Sequence, residues 1–291
     1  MNTARIFPMR GCAGLAMIAV GWPLAWGRPS GLEFLWENAF LLLWVGYTLV
    51  VDGLNYRITG TSLYSRNRWA FAGLFILSIP MWWLFEFFNL FLRNWHYLHN
   101  RPLGTVEYVV RASVHFSIVI PVVLSTAELW ASSRLLMRTA YLPALPVSRR
   151  NLSALVLTGF CMLALVIVVP RFAFPLVWIS VYLIMDAINM LQGAPSLLFH
   201  FSRGNWRPAV ALALGALTCG FFWEMWNFYA LPKWTYTIPF FDFFHVFEMP
   251  LPGYLGYLPF GLEVYALYIF LVTMCGLKRT GLYGGERYIR L

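Results

Sequence analysis

The sequence predicts an all-α protein that crosses a membrane as a polytopic helical bundle, and three observations support this class. First, 60% of the 291 residues are hydrophobic and only 11% are charged, whereas soluble domains carry about 25% charged residues. Second, uncharged apolar runs recur along the chain, each close to the roughly 17–25 residues that a helix needs to cross the hydrocarbon core. Third, these runs lack the alternation of a membrane β-barrel, and backbone groups in lipid must then be paired within helices.

About eight spans fit these runs. They are placed at residues 11–27, 38–54, 69–92, 105–128, 151–170, 172–191, 208–230 and 252–276. The first run has one alternative interpretation, a signal peptide, because Arg5 and Arg10 precede its apolar core. We favour a retained span, since no A-x-A-like cleavage site follows it.

The basic residues predict the orientation of these spans. The formal charge of +9 is spread over short loops, without the basic stripe that is typical of nucleic-acid binding, so no nucleic-acid partner is expected. With the N-terminus inside, 15 of the 21 lysines and arginines fall on the inner side and 5 on the outer side. This excess follows the positive-inside rule. It predicts a protein of a bacterial-type cytoplasmic (inner) membrane, with both termini in the cytoplasm.

Two halves of the chain resemble each other. The segment AFLLLWVGYTLVVDGLN (39–55) matches AFPLVWISVYLIMDAIN (173–189) at a constant offset of 134. The motifs E-x-x-N and W-x-Y follow in the same order in both halves. We therefore predict a tandem duplication of a four-helix unit, with a first repeat at 1–131, a basic linker at 132–151 and a second repeat at 152–291. Because each repeat crosses the membrane an even number of times, the two repeats share one parallel orientation.

A carboxylate and an amide lie at the same spacing on the third span of each repeat. A three-residue spacing keeps Glu86 with Asn89, and Glu224 with Asn227, on one helical face. Ionisable groups within a membrane mark functional sites by default, which favours a site near the outer leaflet. Three structural interpretations stay open: the acids lie near headgroups, the amides join helices, and the neighbouring aromatic residues form an interfacial belt. In the second repeat those aromatic residues are Trp223, Trp226, Trp234 and Tyr236.

The fourth span differs between the repeats. In the first, Arg111 is the sole basic residue within a span, so an intramembrane partner is expected, and His115 lies one turn further on. In the second, FEMPLPGYLGYLPFGLEVYALY (247–268) carries prolines and glycines that predict a broken helix, flanked by Glu248 and Glu263. Broken backbone persists in a membrane where it packs on protein or lines a cavity, so we predict a cavity wall here.

Asp52 and Asp186 end the second span of each repeat. An acid at the C-terminus of a helix opposes the helix dipole, so each needs a compensating partner. Arg57 is the candidate for Asp52, and we expect both acids to form an ion pair or to anchor a loop.

The residues give no support for a metal or a cofactor. His96 and His99 have an H-x-x-H spacing, but the 5 histidines form no further cluster. The 4 cysteines are well separated, which is typical of packing residues rather than disulfides or metal ligands. The sequence has no Gly-rich phosphate loop of the G-x-x-x-x-G-K-[ST] type. We therefore predict neither a cofactor nor a metal site.

A run of W-x-Y, a short loop, then proline and glutamate resembles the membrane lycopene cyclase domain family. Here it reads WTY (234–236) and EMPLPGYLGYLPFGLE (248–263), and the first repeat echoes it with WHY (95–97), Pro121 and Glu128. The resemblance implies a polytopic, internally repeated protein whose chemistry needs no cofactor. Because this chain lacks the two adjacent acids of the family's motif, the resemblance implies related architecture more than a given reaction.

These observations lead to a hypothesis about function: a multi-pass membrane protein that handles a lipophilic small molecule such as an isoprenoid, a carotenoid or a membrane lipid. A glutamic acid in apolar surroundings can stay protonated at neutral pH and protonate a polyene, and aromatic faces stabilise the resulting cation. That chemistry is cyclisation or isomerisation by a cofactor-free lyase or isomerase. The candidate catalytic residues are Glu224, Glu248 and Glu86. The candidate substrate-binding residues are Asn227, Asn89, Trp223, Trp226, Trp234, Tyr236, Arg111, His115 and Glu263.

A transporter and a non-enzymatic scaffold or assembly protein are the alternatives, and an oligomer is compatible with each. An enzyme acting on isoprenoids predicts a closed apolar cavity that opens sideways into lipid. A transporter predicts a polar cavity open to water on one side, and a scaffold predicts no cavity. The shape and polarity of any cavity around Glu224 therefore discriminate among the three hypotheses.

Overall fold

Nine long helices form the protein in a computed structural model, which describes residues 6–133, 136, 142–277 and 289–291. They are α1 (Met9–Gly27), α2 (Ala39–Thr59), α3 (Arg68–Leu92), α4 (Thr105–Phe116), α5 (Val119–Ala131), α6 (Arg149–Val168), α7 (Val177–Leu191), α8 (Arg207–Phe228) and α9 (Tyr257–Met274). Short helices at Glu33–Glu37, Leu63–Arg66, Pro170–Ala173 and Leu197–Phe201, and 3₁₀ turns at Phe174–Leu176 and Leu251–Gly256, connect them.

Within the described residues, 7 helical segments are long and apolar enough to cross a membrane. They are Ala39–Thr59, Arg68–Leu92, Thr105–Ala131, Arg149–Val168, Pro170–Leu191, Arg207–Phe228 and Leu251–Met274. They match the second to eighth predicted spans, so the prediction of a multi-pass helical bundle is confirmed. The first predicted span corresponds to α1, which is not among the 7. α1 contains one arginine, Arg10, and one internal proline, Pro23.

α1 packs along α2 through glycine. A Cβ atom on Gly14 would lie 2.5 Å from the carbonyl oxygen of Gly46, and a Cβ atom on Gly46 would lie 2.8 Å from that of Gly14. α6 packs on α7 in a similar way, because a Cβ atom on Gly159 would lie 2.8 Å from the carbonyl oxygen of Ser180. Small residues are the usual means by which membrane helices approach each other closely. The outer helices α1 and α6 are therefore held by backbone contact.

α5, α8 and α9 form the centre of the bundle, with α2, α3 and α7 packed around them. The backbones approach closely here too, since a Cβ atom on Gly261 of α9 would lie 2.2 Å from the carbonyl oxygen of Leu212 in α8. On the outside, apolar side chains of α6 such as Leu157 and Phe160 are exposed. An exposed apolar surface of this kind is suited to contact with lipid.

Asp52 and Asp186 each anchor the loop that follows their helix. Asp52 pairs with Arg10 Nε at 2.7 Å and accepts a backbone N–H of the next short helix at 3.0 Å. Asp186 accepts the backbone N–H of Leu197 at 2.9 Å. The expectation that Arg57 compensates Asp52 was wrong, because α1 brings Arg10 to the carboxylate instead. This end of the bundle is called the arginine end, and is defined by Arg10, Arg66 and Arg207.

Six basic residues that the charge count assigned to the cytoplasmic side lie outside the described residues. They are Arg5, Arg134, Arg138, Lys278, Arg279 and Arg287. The predicted linker at 132–151 is also described only in part.

The predicted span at 105–128 is interrupted between α4 and α5. Ser78 of α3 bridges the gap, because its hydroxyl donates to the carbonyl oxygen of Phe116 at 2.6 Å and accepts the N–H of Ile120 at 3.1 Å. Pro121 follows the gap and has no N–H to continue a helical ladder across it. The break was not predicted, although Pro121 is the residue that indicates it.

Two short antiparallel β-ribbons complete the fold, so the expectation of a purely helical protein needs correction. The strands are β1 (Trp95–Leu98), β2 (Lys233–Tyr236), β3 (His245–Val246) and β4 (Met249–Pro250). β1 pairs with β2 in a register that places Trp95 opposite Tyr236 and Tyr97 opposite Trp234; β3 pairs with β4. Because β1 follows α3 and β2 follows α8, the β1–β2 ribbon joins the two halves at what is called the ribbon end.

Aromatic side chains also cross between the halves near the ribbon end. The ring centroids of Trp44 in α2 and Trp223 in α8 are 5.0 Å apart. Trp178 in α7 stacks on Phe85 in α3, with centroids 5.6 Å apart. Each half therefore contributes aromatic residues to the core of the other.

Candidate functional site

A cavity of about 500 Å³ lies at the ribbon end. Its volume falls within the roughly 300–1,000 Å³ that is typical of small-molecule sites. Aromatic side chains dominate the wall, among them Phe40, Trp82, Trp95, Trp178, Trp223 and Trp234. These residues come from both halves and from both strands of the β1–β2 ribbon, so the cavity lies where the halves meet.

Two breaks in helical structure line this cavity. Phe116, Ile118 and Val119, at the gap between α4 and α5, form one part of the wall. Pro252 and Gly256, in the 3₁₀ turn before α9, form another. The prediction of a cavity wall in the segment 247–268 agrees with this position. Irregular backbone at membrane depth is thus found where protein encloses a space, as the lack of water in lipid requires.

Glu86 lies one layer behind the cavity wall in the first half. Its Oε1 atom accepts hydrogen bonds from Trp82 Nε1 at 2.9 Å, Trp95 Nε1 at 3.0 Å and the Tyr97 hydroxyl at 2.6 Å. All three donors line the cavity. Burial and the adjacent carboxylate raise the pKa of Tyr97 well above its usual value, so the hydroxyl stays protonated and donates.

Glu224 holds the corresponding place in the second half. It is fully buried, and its Oε1 accepts the hydroxyls of Tyr236 at 2.6 Å and Tyr257 at 2.8 Å. Both tyrosines line the cavity, and burial and the Glu224 carboxylate raise the pKa of Tyr236 well above its usual value. The Oε2 atom of Glu224 has no hydrogen-bond partner among the described residues. Space for Tyr257 exists because residue 220 is glycine, where a Cβ atom would lie 2.4 Å from the tyrosine ring.

Asn89 and Asn227 hold the strands that cover the cavity. Asn89 donates to the carbonyl oxygen of Trp95 at 2.8 Å and accepts the N–H of Asn94 at 2.9 Å. Asn227 donates to the carbonyl oxygen of Trp234 at 2.7 Å and accepts its N–H at 2.8 Å. The amide side chains therefore bind strand backbone, and act on the cavity through the residues they position.

One part of the wall is charged, and is called the polar end of the cavity; it is defined by Glu37, His99, Arg111 and His115. Arg111 forms ion pairs with the buried Glu37 and, at 3.0 Å, with Glu107. Arg111 therefore has carboxylate partners, as expected from its position within a predicted span. Burial alone would raise the pKa of Glu37, but hydrogen bonds from Arg111 and Asn100 lower it further than burial raises it. Glu37 is accordingly ionised at neutral pH.

The two histidines of the polar end have unused hydrogen-bonding atoms. Neither ring nitrogen of His99 has a partner among the described residues, and the same holds for Nε2 of His115. Burial and the nearby Arg111 lower the pKa of His99. The imidazole of His99 is therefore neutral at pH 7, with one donor and one acceptor.

Three other candidate residues lie away from the wall. Glu248 pairs with Lys233, which does line the cavity. Glu263 is fully buried, and accepts the backbone N–H of Tyr182 at 3.4 Å. Trp226 is buried, with its ring centroid 5.1 Å from that of Trp44. Among the candidates, Trp223, Trp234, Tyr236, Arg111 and His115 are the ones that line the cavity.

Sequence reasoning missed several residues of the site. Tyr97 was visible only as part of a repeated motif, and Tyr257 only as one of the aromatic residues of the broken segment. Glu37 lies just before the predicted span at 38–54 and was not among the candidate residues. The sequence signal that was available is the repeat itself, because Tyr97 and Tyr236 occupy matching positions in the two W-x-Y motifs.

The chain was also compared with known proteins and examined for metal ligands. No protein-family model, curated protein or solved structure matches it. In the part of the chain that the structure describes, no group of three or more His, Cys, Asp or Glu side chains is arranged to hold a metal ion. The cavity is therefore the feature of this protein that bears on its function.

Proposed function

We propose that this protein binds a lipophilic small molecule, such as an isoprenoid, a carotenoid or a lipid, in the cavity at the ribbon end. The observation that carries the proposal is the cavity of about 500 Å³, with its mainly aromatic wall built from both halves. Two wall residues on the outer surface, Phe241 (42% exposed) and Leu255 (66% exposed), are apolar. They supply a lateral opening from the hydrocarbon layer.

The chemistry that fits this site is cofactor-free acid–base isomerisation or cyclisation. In this reaction Glu224 is protonated and donates to the Tyr236 oxygen, which reverses the hydrogen bond of the resting site, and Tyr236 releases its own proton to a double bond of the substrate. The faces of Trp223 and Trp234 stabilise the cation. A second base, the Tyr97–Glu86 pair, removes a proton from another carbon: Tyr97 accepts it and passes its own proton to Glu86. The substrate neither gains nor loses protons, and after product release Glu86 gives its proton to water and Glu224 takes one up, which restores the starting state.

The resemblance to the membrane lycopene cyclase domain family supports a related architecture. The residues that carry the resemblance include Trp234 and Tyr236, which line the cavity, and the segment 248–263, which supplies part of its wall. On this basis we propose a related architecture, whereas the proposed reaction rests on the cavity and its glutamates.

We further propose that the two halves arose by duplication. Matching residues make matching contacts: Tyr97 donates to Glu86 and Tyr236 to Glu224, each at 2.6 Å. The register of the β1–β2 ribbon also fits, because a two-fold axis through the pair His96 and Thr235 would exchange the two W-x-Y motifs. The proposal includes α1 as an eighth span, both termini in the cytoplasm and an inner-membrane location, on the strength of the charge bias.

A transporter is less well supported by the cavity geometry. A second, smaller cavity of about 230 Å³ lies at the arginine end, and Glu128 of α5 lines it. Val119, at the other end of α5, lines the main cavity. Between these residues Ile120, Val123 and Leu124 are fully buried, so the two cavities are separated by packed apolar side chains.

Filling the cavity tests the proposal. Ala112 of α4 lines the cavity, whereas Val106 of the same helix points outward and is 78% exposed. We expect the protein purified from membranes to carry a bound lipophilic molecule, detected by native mass spectrometry and solvent extraction. Ala112→Trp should abolish that binding, and Val106→Trp should preserve it. If neither the original protein nor the control carries or takes up any lipophilic molecule, the proposed function is wrong.

A further inference from the structure

The polar end of the cavity carries no net charge. Arg111 is paired with Glu37 and Glu107, and Arg101 is paired with Glu107 as well. Lys233, the other basic residue that lines the cavity, is paired with Glu248 and also donates to a backbone carbonyl at 3.0 Å. Three cationic side chains thus face three carboxylates. A ligand with an anionic headgroup would have to break these pairs, which leaves a carboxylate without a partner at substantial energetic cost.

The unused hydrogen-bonding atoms at this end belong to neutral groups. Both ring nitrogens of His99 and Nε2 of His115 lack partners among the described residues, and both residues belong to the cavity wall. His99 is neutral for the reasons given above. A pure hydrocarbon would leave these atoms without partners, and a buried polar atom without a partner weakens binding.

We propose that the ligand is an uncharged lipophilic molecule with a single hydroxyl or carbonyl group, which binds His99 and His115 at the polar end while its apolar chain lies among the tryptophans. This inference rests on the proposed function and specifies its substrate class. A neutral imidazole can donate to a carbonyl and can both donate to and accept from a hydroxyl, so either headgroup satisfies the site. The compensated charges discriminate against carboxylates and phosphates.

A series of ligands with one chain and different headgroups tests the inference. The probes are geranylgeraniol, the hydrocarbon of the same chain without the hydroxyl, geranylgeranic acid and geranylgeranyl diphosphate. Binding is followed by quenching of tryptophan fluorescence in the purified full-length protein in nanodiscs. We expect geranylgeraniol to bind about tenfold more tightly than the hydrocarbon and more tightly than either anion, because it restores hydrogen bonds to the imidazoles.

Size-preserving variants locate the effect. His99→Phe and His115→Phe should reduce the preference for the alcohol over the hydrocarbon to about twofold or less, with hydrocarbon binding kept. His96→Phe is the matched control, since His96 lies on β1, three residues before His99, but is exposed, and it should leave the preference unchanged. If a variant does not fold, the ligand series on the unmodified protein decides the matter.

The outcomes separate the inference from the proposed function. Equal affinity for alcohol and hydrocarbon, tighter binding of either anion, or an unchanged preference in both folded histidine variants overturns the inference while the cavity still binds a lipophile. Failure of every probe to bind counts against the proposed function itself.

Discussion

Glu86 and Glu224 occupy matching positions in the two halves, yet their surroundings differ: Glu224 is fully buried and Glu86 is only half-buried. In the first half, two indoles and one phenol donate to Glu86. In the second half, two phenols donate to Glu224, and Gly220 stands where the first half has Trp82. Indoles donate only, whereas phenols both donate and accept protons. In the proposed reaction the second half is therefore the better suited to supply the proton, and the first half to hold the carboxylate that receives one.

The largest expected effect concerns the proton relay. Glu224→Gln keeps the shape of the side chain but removes the acid, so the turnover of the bound molecule should fall by about 10²–10⁴-fold. Glu86→Gln should cause a smaller loss. The measurement is the rate of change of the substrate, followed in membrane extracts of cells that lack the chromosomal gene. Equal losses in the two variants would contradict the assignment of the relay to the second half.

The next effect concerns the space at Gly220. A Cβ atom there would lie 2.4 Å from the ring of Tyr257, so Gly220→Ala should lower the free energy of unfolding by about 1–3 kcal/mol through overpacking. Gly104→Ala is the control, because nothing lies within 4 Å of a Cβ atom at Gly104. Thermal unfolding in detergent measures both. An unchanged melting temperature for Gly220→Ala would show that the Tyr257 side chain can adopt another conformation without loss of stability.

The smallest difference is expected between the two asparagines. Asn227→Ala and Asn89→Ala each remove an amide that binds strand backbone, and should each lower the free energy of unfolding by about 1–2 kcal/mol. Asn227 is almost fully buried whereas Asn89 is only half-buried, so the loss should be larger for Asn227. The two single variants and the double variant, compared by thermal unfolding, give the difference. A larger loss of unfolding free energy at Asn89 than at Asn227 would contradict the expectation that the more buried amide contributes more.

The sequence was a good guide to the helices and a poor guide to their contacts. Helical periodicity placed Glu86 with Asn89, and Glu224 with Asn227, at one end of the bundle, and the structure agrees. Periodicity did not identify the groups that donate hydrogen bonds to Glu86 and Glu224. Several of these donors lie on β1 and β2, and their positions depend on the register of two strands far apart in the chain. The role of Tyr257 was hidden for the same reason, since it depends on the absence of a side chain at Gly220.

Local sequence signals predicted some features of the structure and missed others. The prolines of the segment 247–268 indicated a break, whereas Pro121 was not read as one. Arg57 was the nearest basic residue to Asp52 in sequence, but the packing of α1 brings Arg10 closer. Glu37 shows the same limit, because its partner Arg111 lies on a helix that follows much later in the chain. Sequence proximity is a weak guide to ion pairs in a helical bundle.

The β1–β2 ribbon has a mechanical consequence. Four backbone pairs, from Trp95 with Tyr236 to Leu98 with Lys233, bind one half to the other at the end where the cavity lies. A rocking motion of the halves, of the kind that alternating-access transporters use, would have to break the backbone hydrogen bonds between β1 and β2. We therefore expect molecules to enter and leave by small movements of Phe241 and Leu255 at the flank, while the halves stay fixed as one rigid frame.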